Sequence, residues 1–181
     1  SHKKQTLAIL DVIKQHDIRW TCLTRCADVD KERAEAMADA GCDIALYGVE
    51  SLGTQVLKEA RKGNTENLTV RAQRVSEEAG VRFGGLTIVG LQNETEESLD
   101  HMCQWAEENN HITRVKYLSL MPGTTVYQNG AKDGLIKSEI DHLNWLSIEQ
   151  ALEEDEFINV NGLPEQVMRD AYRRIYDAYQ P

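Results

Sequence analysis

The chain has 181 residues, enough for one ordinary domain and short for two. Hydrophobic residues make up 41% and charged residues 28%, the balance of a soluble globular protein and not of a disordered tail. Acidic residues outnumber basic ones 30 to 20, and a formal net charge of -10 repels phosphate backbones, which argues against a nucleic-acid partner.

Lys3–Gln15 reads as a helix, with Leu7, Leu10 and Ile13 at helical spacing. Ile18–Leu23 is a short β-rich run. Asp30 is placed to cap a helix reaching Ala40, and Gly41 supplies a left-handed stop. Asp43–Val49 is apolar without strict alternation, the pattern of a strand covered on both faces. A helix over about Gly53–Ala60 follows, and Asn64 or Thr65 starts another that stops at Gly80. Val81–Gly90 is the next strand, Thr95 opens a helix through Leu99, Met102 and Trp105, and Arg114–Leu120 is a fourth strand closed by Met121-Pro122-Gly123.

The joint Ala40-Gly41-Cys42 is matched by Ala79-Gly80-Val81: helix, glycine, strand. Such alternation predicts a parallel sheet with right-handed crossovers, whose ligands bind at the carboxyl ends of the strands. Those ends are Cys22–Cys26, Gly48–Ser51, Gly90–Glu94 and Met121–Thr124. Beyond Gly134 the pattern turns polar and broken over Ile136–Asp155. A closing helix, Glu165–Tyr179, is then expected to pack across an end of the sheet. The division predicted is 1–134 for the α/β part and 135–181 for a helical tail.

The longest apolar stretches, such as Ile44–Val49, fall far short of the ~20 residues needed to cross a bilayer, so no membrane partner is expected. No charged-then-apolar segment opens the chain, Ser1-His2 reads as a tag remnant, and the expected location is the cytoplasm. Cys22, Cys26, Cys42 and Cys103 are too scattered for a disulfide scaffold and read as reduced structural thiols. The five histidines show no zinc spacing, and no nucleophile elbow, P-loop or dinucleotide fingerprint occurs.

A series of strand-end motifs carries a family resemblance: Trp20-Thr21-Cys22 with Arg25 and Asp28, Gly48-Val49-Glu50-Ser51, Lys62-Gly63-Asn64-Thr65, Ile88-Val89-Gly90-Leu91, Met121-Pro122-Gly123-Thr124, then Asp133-Gly134-Leu135-Ile136 and Ala171-Tyr172-Arg173-Arg174. In this order the chain resembles the carboxyl-terminal part of the radical S-adenosylmethionine barrel. It is most similar to the cobalamin-dependent branch that contains the anaerobic magnesium-protoporphyrin cyclase. The resemblance implies a partial (β/α) TIM-type barrel with about four parallel strands and a carboxyl-terminal helical tail.

The resemblance also implies reductive cleavage of S-adenosylmethionine to a 5′-deoxyadenosyl radical, with a 4Fe-4S cluster in the parent protein and, through the cobalamin-dependent branch, cobalamin as a candidate second cofactor there. The substrate expected is a small or tetrapyrrole-like molecule. The family's cluster sits on three cysteines spaced three and then two residues apart. Cys22 and Cys26 have the first spacing, but Val29 stands where the third thiol belongs, so the cluster loop is expected upstream and the chain alone is expected to be inactive. The cofactor-binding residues implied are Arg25, Glu50, Ser51, Lys62, Gly90, Leu91 and Met121, with no catalytic residue and no metal ligand. Read from residues alone, Ser51 is equally a helix cap, Arg25 a surface ion-pair partner of Asp28 or Asp30, and Lys62 a solvated lysine. The other reading of the chain is a stand-alone α/β domain that binds a nucleotide or metabolite without redox chemistry. A truncated barrel would leave Ile18–Leu23 as an open edge, so self-association is expected.

Overall fold

The computed structural model describes residues 3–59, 63–109, 112–148 and 157–179. Four strands, β1 (Trp20–Thr24), β2 (Cys42–Glu50), β3 (Arg82–Val89) and β4 (Ile112–Tyr117), form one sheet in the order β1-β2-β3-β4, every pair parallel. Strand order equal to chain order is what repeated right-handed crossovers produce, and it is the order of a barrel laid open. The expected partial barrel is thus present.

The helices are α1 (Lys3–Ile13), α2 (Lys31–Asp39), α3 (Thr54–Glu59), α4 (Glu66–Glu78), α5 (Glu96–Asn109), α6 (Thr125–Lys132), α7 (Glu139–Ile148) and α8 (Glu165–Ala178). Local chemistry sets their starts. Asp30 accepts from the Arg33 N–H, Thr65 from Leu68 and Thr124 from Tyr127, each an N-cap that satisfies an otherwise orphaned backbone donor. Asn64 is therefore not a cap; Thr65 is. The polar stretch after Gly134, read from sequence as broken, carries α7.

The core lies between the sheet and its helices. Ala45, Tyr47 and Val49 of β2, Phe83 and Val89 of β3, and Val115 and Tyr117 of β4 are buried, and they alternate with half-buried Leu46, Leu86 and Ile88. The second set lies on the opposite, barrel-facing side of the pleat. Phe83 stacks on Tyr47 at 4.7 Å and meets Trp105 of α5 edge-on at 6.4 Å. The closing helix does not lie across an end of the sheet, as the sequence suggested. It packs against α5 and β4, with Tyr172 stacked on Tyr117 at 4.5 Å and Met168, Ala171 and Ile175 buried in the same core. Its Tyr172 and Ile175, one turn apart, supply an apolar stripe wide enough to cover the β3–β4 side.

α1 packs on α2 through buried Leu10 and exposed ion pairs from Lys3 to Asp30 at 2.8 Å and Lys14 to Asp39 at 2.7 Å. β1 keeps an open edge with Ile18 51% and Leu23 70% exposed. Among the described residues no helix is long and apolar enough to cross a membrane.

Candidate functional site

The carboxyl ends of β1 and β2 enclose a cavity of about 230 Å³ lined by Arg25, Cys26, Gly48, Glu50, Gly63 and Asn64. Two backbone features shape it. β2 carries a register irregularity between Gly48 and Glu50, and Glu50 adopts φ +64°, a left-handed conformation that costs a side-chain-bearing residue free energy. The bulge re-aims the end of the strand, so a carboxylate that regular pleating would carry onward lines the cavity. Gly63, at φ +61°, passes close to the Arg25 guanidinium: a Cβ there would lie 3.3 Å from Nη2. The positive φ favours glycine, and the missing side chain leaves the flexible guanidinium its place.

Asn64 holds this end of the sheet together. Its side-chain amide is buried and donates to the Val49 carbonyl at 3.2 Å, the Gly48 carbonyl at 3.5 Å and Thr69 Oγ1 at 3.0 Å. Its Oδ1 is buried with no hydrogen-bond partner. A buried acceptor left unmade is costly, on the order of 1–3 kcal/mol, and rare enough to require a reason. The side chains of Asn64 and Glu50 both line the cavity.

The seven residues expected to contact a cofactor separate into three groups. Arg25 and Glu50 share the cavity just described. Arg25 is exposed, and Asp30, one of its candidate partners, is engaged by Lys3 and the Arg33 N–H instead. Ser51 is buried, and its Oγ accepts from the Gly53 N–H at 3.1 Å, which turns the chain into α3. Lys62 lies outside the described residues.

Gly90 and Leu91 end β3, and their backbone N–H groups both donate to Oε2 of Glu94, at 2.7 and 3.0 Å. Glu94 is 5% exposed, and burial pushes its carboxyl up to about 7 against the opposing pull of those two N–H bonds. The Leu91 carbonyl accepts from Glu94 N–H at 3.2 Å and from the Asn161 side chain at 3.5 Å. This turn therefore offers a ligand its apolar surface and shape more than free donors. Met121, beyond β4, is 54% exposed, and its carbonyl is held by Thr124.

The sequence reading passed over Asn64 and Glu94. Asn64 stood at a helix start, where asparagine is ordinary, and Glu94 headed the acidic run Glu94-Thr95-Glu96-Glu97, where acids are ordinary too. Only the four-residue spacing from Gly90 to Glu94 carried a signal of the clamp.

The thiols do not fit an iron–sulfur cluster. Cys22 lies within β1 and pairs with Cys42, at the start of β2, through a hydrogen bond that lowers the first thiol and, with burial, raises the second. Burial raises Cys26, whose sulfur receives the Thr69 hydroxyl at 3.7 Å. It also raises Cys103, to about 11, where its thiol meets the Ala171 carbonyl of α8. A raised thiol is poor at supplying the thiolate that iron requires. Among the described residues no group of three histidines, cysteines or acids is placed to hold a metal. The cavity, in contrast, brings a guanidinium and a carboxylate to one place, and these suit the carboxylate on the one hand and the hydroxyl and ammonium donors of S-adenosylmethionine on the other.

The radical SAM superfamily profile matches residues 2–106. An uncharacterized methyltransferase of Pyrococcus horikoshii is 26% identical over 147 residues, covering 80% of this chain and 31% of that protein. Bacteriochlorophyllide d C-8(2)-methyltransferase of Chlorobaculum tepidum is 25% identical over 142 residues, 76% of this chain and 32% of its own length. The chain thus spans about a third of these curated relatives. Among solved structures, methylornithine synthase superposes with a TM-score of 0.58 at 14% identity over 99% of this chain and 44% of its own. The radical S-adenosylmethionine methyltransferase of Kitasatospora setae, solved with cobalamin and a [4Fe-4S] cluster, gives 0.55 at 19% identity over 64% of this chain and 24% of its own. With more than half its length under the family profile, and the parallel half-barrel that the profile implies, the chain belongs to the radical SAM superfamily.

Proposed function

We propose that the cavity at the ends of β1 and β2 receives one end of S-adenosylmethionine in an enzyme of which this chain forms a part. The single observation that carries this reading is the cavity itself, where Arg25 and Glu50 stand together at the ends of β1 and β2 beside Asn64. A carboxylate lining such a cavity suits a ligand with hydroxyl or ammonium donors. Arg25 at the rim suits a carboxylate. The volume, about 230 Å³, is below the roughly 300–1,000 Å³ of complete small-molecule sites, so it takes part of a ligand. The remainder would run along the carboxyl edge of the sheet toward Gly90, Leu91 and Met121.

When bound, S-adenosylmethionine supplies the reactive carbon group in this superfamily. This chain's own residues would bind and orient it: Glu50 by accepting hydrogen bonds, Asn64 by holding the end of β2, Glu94 by fixing the β3 turn. The thiols here are unsuited to the cluster, so in this reading its ligands belong to another segment of the parent protein. The methyltransferase names of the two curated relatives above favour methyl transfer to a small-molecule or tetrapyrrole-like acceptor, the latter in line with the bacteriochlorophyllide of the Chlorobaculum protein's name. The cobalamin bound in the Kitasatospora structure supports a cobalamin-assisted route.

Equilibrium dialysis of labelled S-adenosylmethionine tests the site. Glu50→Gln should weaken binding by about tenfold or more, as expected for loss of a charged acceptor. Equal retention by wild type and variant would overturn the assignment.

A further inference from the structure

We infer that the helical tail carries a second ligand cavity, built for a planar aromatic molecule that donates one ring N–H to His142. The cavity, about 570 Å³, lies between α7, the start of α8 and the segment at Phe157-Ile158, and it shares no lining residue with the β1–β2 cavity. Its volume falls within the roughly 300–1,000 Å³ typical of small-molecule sites and has room for fused rings.

His142 is the polar anchor. It is 6% exposed, and its Nε2 lies 2.7 Å from the Leu120 carbonyl. A carbonyl can only accept, so Nε2 carries the proton, and the other ring nitrogen, Nδ1, is an acceptor when the imidazole is neutral. Among the described residues that nitrogen has no hydrogen-bond partner, although the ring lines the cavity. Leu120 itself is fully buried just past β4, so the backbone fixes both the tautomer and the direction in which the acceptor points.

The walls complete the chemistry. The Trp145 indole stacks on the His142 ring with centroids 5.6 Å apart and planes 28° apart, so a second aromatic ring lies beside the anchor in the cavity lining. Phe157, stacked on Tyr117 at 4.3 Å and with the Arg169 guanidinium 5.0 Å from its centroid, also lines the cavity. The charges at the rim balance, with Lys137 and Arg169 against Asp141 and Glu165, so the site has no strong preference for an ionic ligand. Aromatic walls and one oriented acceptor select a neutral N–H heteroaromatic. The position, beyond the carboxyl end of a parallel strand, is where such sheets place ligands.

The test uses the 181-residue chain with indole and 1-methylindole as probes, and needs no S-adenosylmethionine. The chain should bind indole at least about tenfold more tightly than 1-methylindole, because the methylated ring leaves Nδ1 unpaired. Indole should also shift the Nδ1 resonance of His142 and the side-chain signals of Trp145. His142→Phe should abolish the difference between the two probes. If that variant does not fold, the comparison of the two probes on the wild-type chain decides by itself. Equal affinities, or indole shifts confined to residues away from His142 and Trp145, would overturn the inference.

Discussion

One oxygen of Glu94, Oε2, accepts the backbone N–H of Gly90 at 2.7 Å and that of the next residue, Leu91, at 3.0 Å. The other oxygen is left to carry a proton without breaking either bond, which reconciles a buried clamp with a carboxyl raised to about 7.

The clamp makes stability depend on pH. The folded pKa of Glu94 is raised from 4.5 to about 7, so the stabilisation is complete below 4.5, where both states are protonated. It declines as pH rises through 7, because the native state then holds a proton that the unfolded state has released. The loss between these limits is about 3 kcal/mol at 1.36 kcal/mol per pKa unit. Urea denaturation from pH 4.5 to 8 should show this slope, and Glu94→Gln, which keeps an acceptor and cannot ionise, should flatten it. An unchanged slope in the variant would assign the effect to another group.

The two matched helix–strand joints should respond unequally to alanine. Gly41 and Gly80 both have positive φ, +85° and +86°. A Cβ at Gly41 would lie 2.3 Å from the Ile18 carbonyl oxygen, whereas one at Gly80 meets nothing within 4 Å. Gly80→Ala should cost about 1–2 kcal/mol, the left-handed penalty alone. Gly41→Ala should cost more than about 3 kcal/mol, because backbone must move as well. Comparable losses in thermal unfolding would contradict the packing at Gly41.

These joints also show what a single sequence reveals. Gly41 and Gly80, the apolar run of β2 and the caps Asp30 and Thr65 are local signals, and the order of elements followed from them. The cavity was legible only as a set of strand ends, with Arg25 and Glu50 among them. Asn64 and Glu94 were not: Asn64 reaches the Gly48 and Val49 carbonyls only once the chain before α4 lies beside the end of β2, and the local clamp of Glu94 is masked by the acidic run it heads. α7 was hidden for a related reason: its residues bury little, so its apolar periodicity is weak. The side of the sheet covered by α8 was likewise a long-range fact, fixed by Tyr172 meeting Tyr117.

The edge of β1 gives a third prediction. Ile18 and Leu23 are exposed beside unpaired strand backbone, and we propose that two copies of this chain pair there. Sedimentation over a wide concentration range should show self-association that Leu23→Lys suppresses. A strictly monomeric wild type would end that proposal.

A fourth concerns iron. Anaerobic reconstitution of the chain with iron and sulfide should yield no stoichiometric 4Fe-4S spectrum, given thiols that are buried, raised or paired with one another. A stable cluster lost in Cys22→Ala or Cys26→Ala would contradict the placement of these thiols.

Glu50 should show a division between stability and binding. At φ +64° any side chain carries the left-handed penalty, so Glu50→Gly should be more stable than Glu50→Ala by about 1 kcal/mol. Both should bind S-adenosylmethionine less tightly than wild type. If the alanine variant were the more stable, the bulge conformation at this position would be wrong.

The most direct measurement of the central claim is an isotope-edited NOE experiment on the chain saturated with S-adenosylmethionine. The account predicts contacts from the cofactor to the Asn64 side-chain amide, the Glu50 methylenes and the Gly63 Cα protons. Contacts confined to other residues, with these three groups silent, would contradict it.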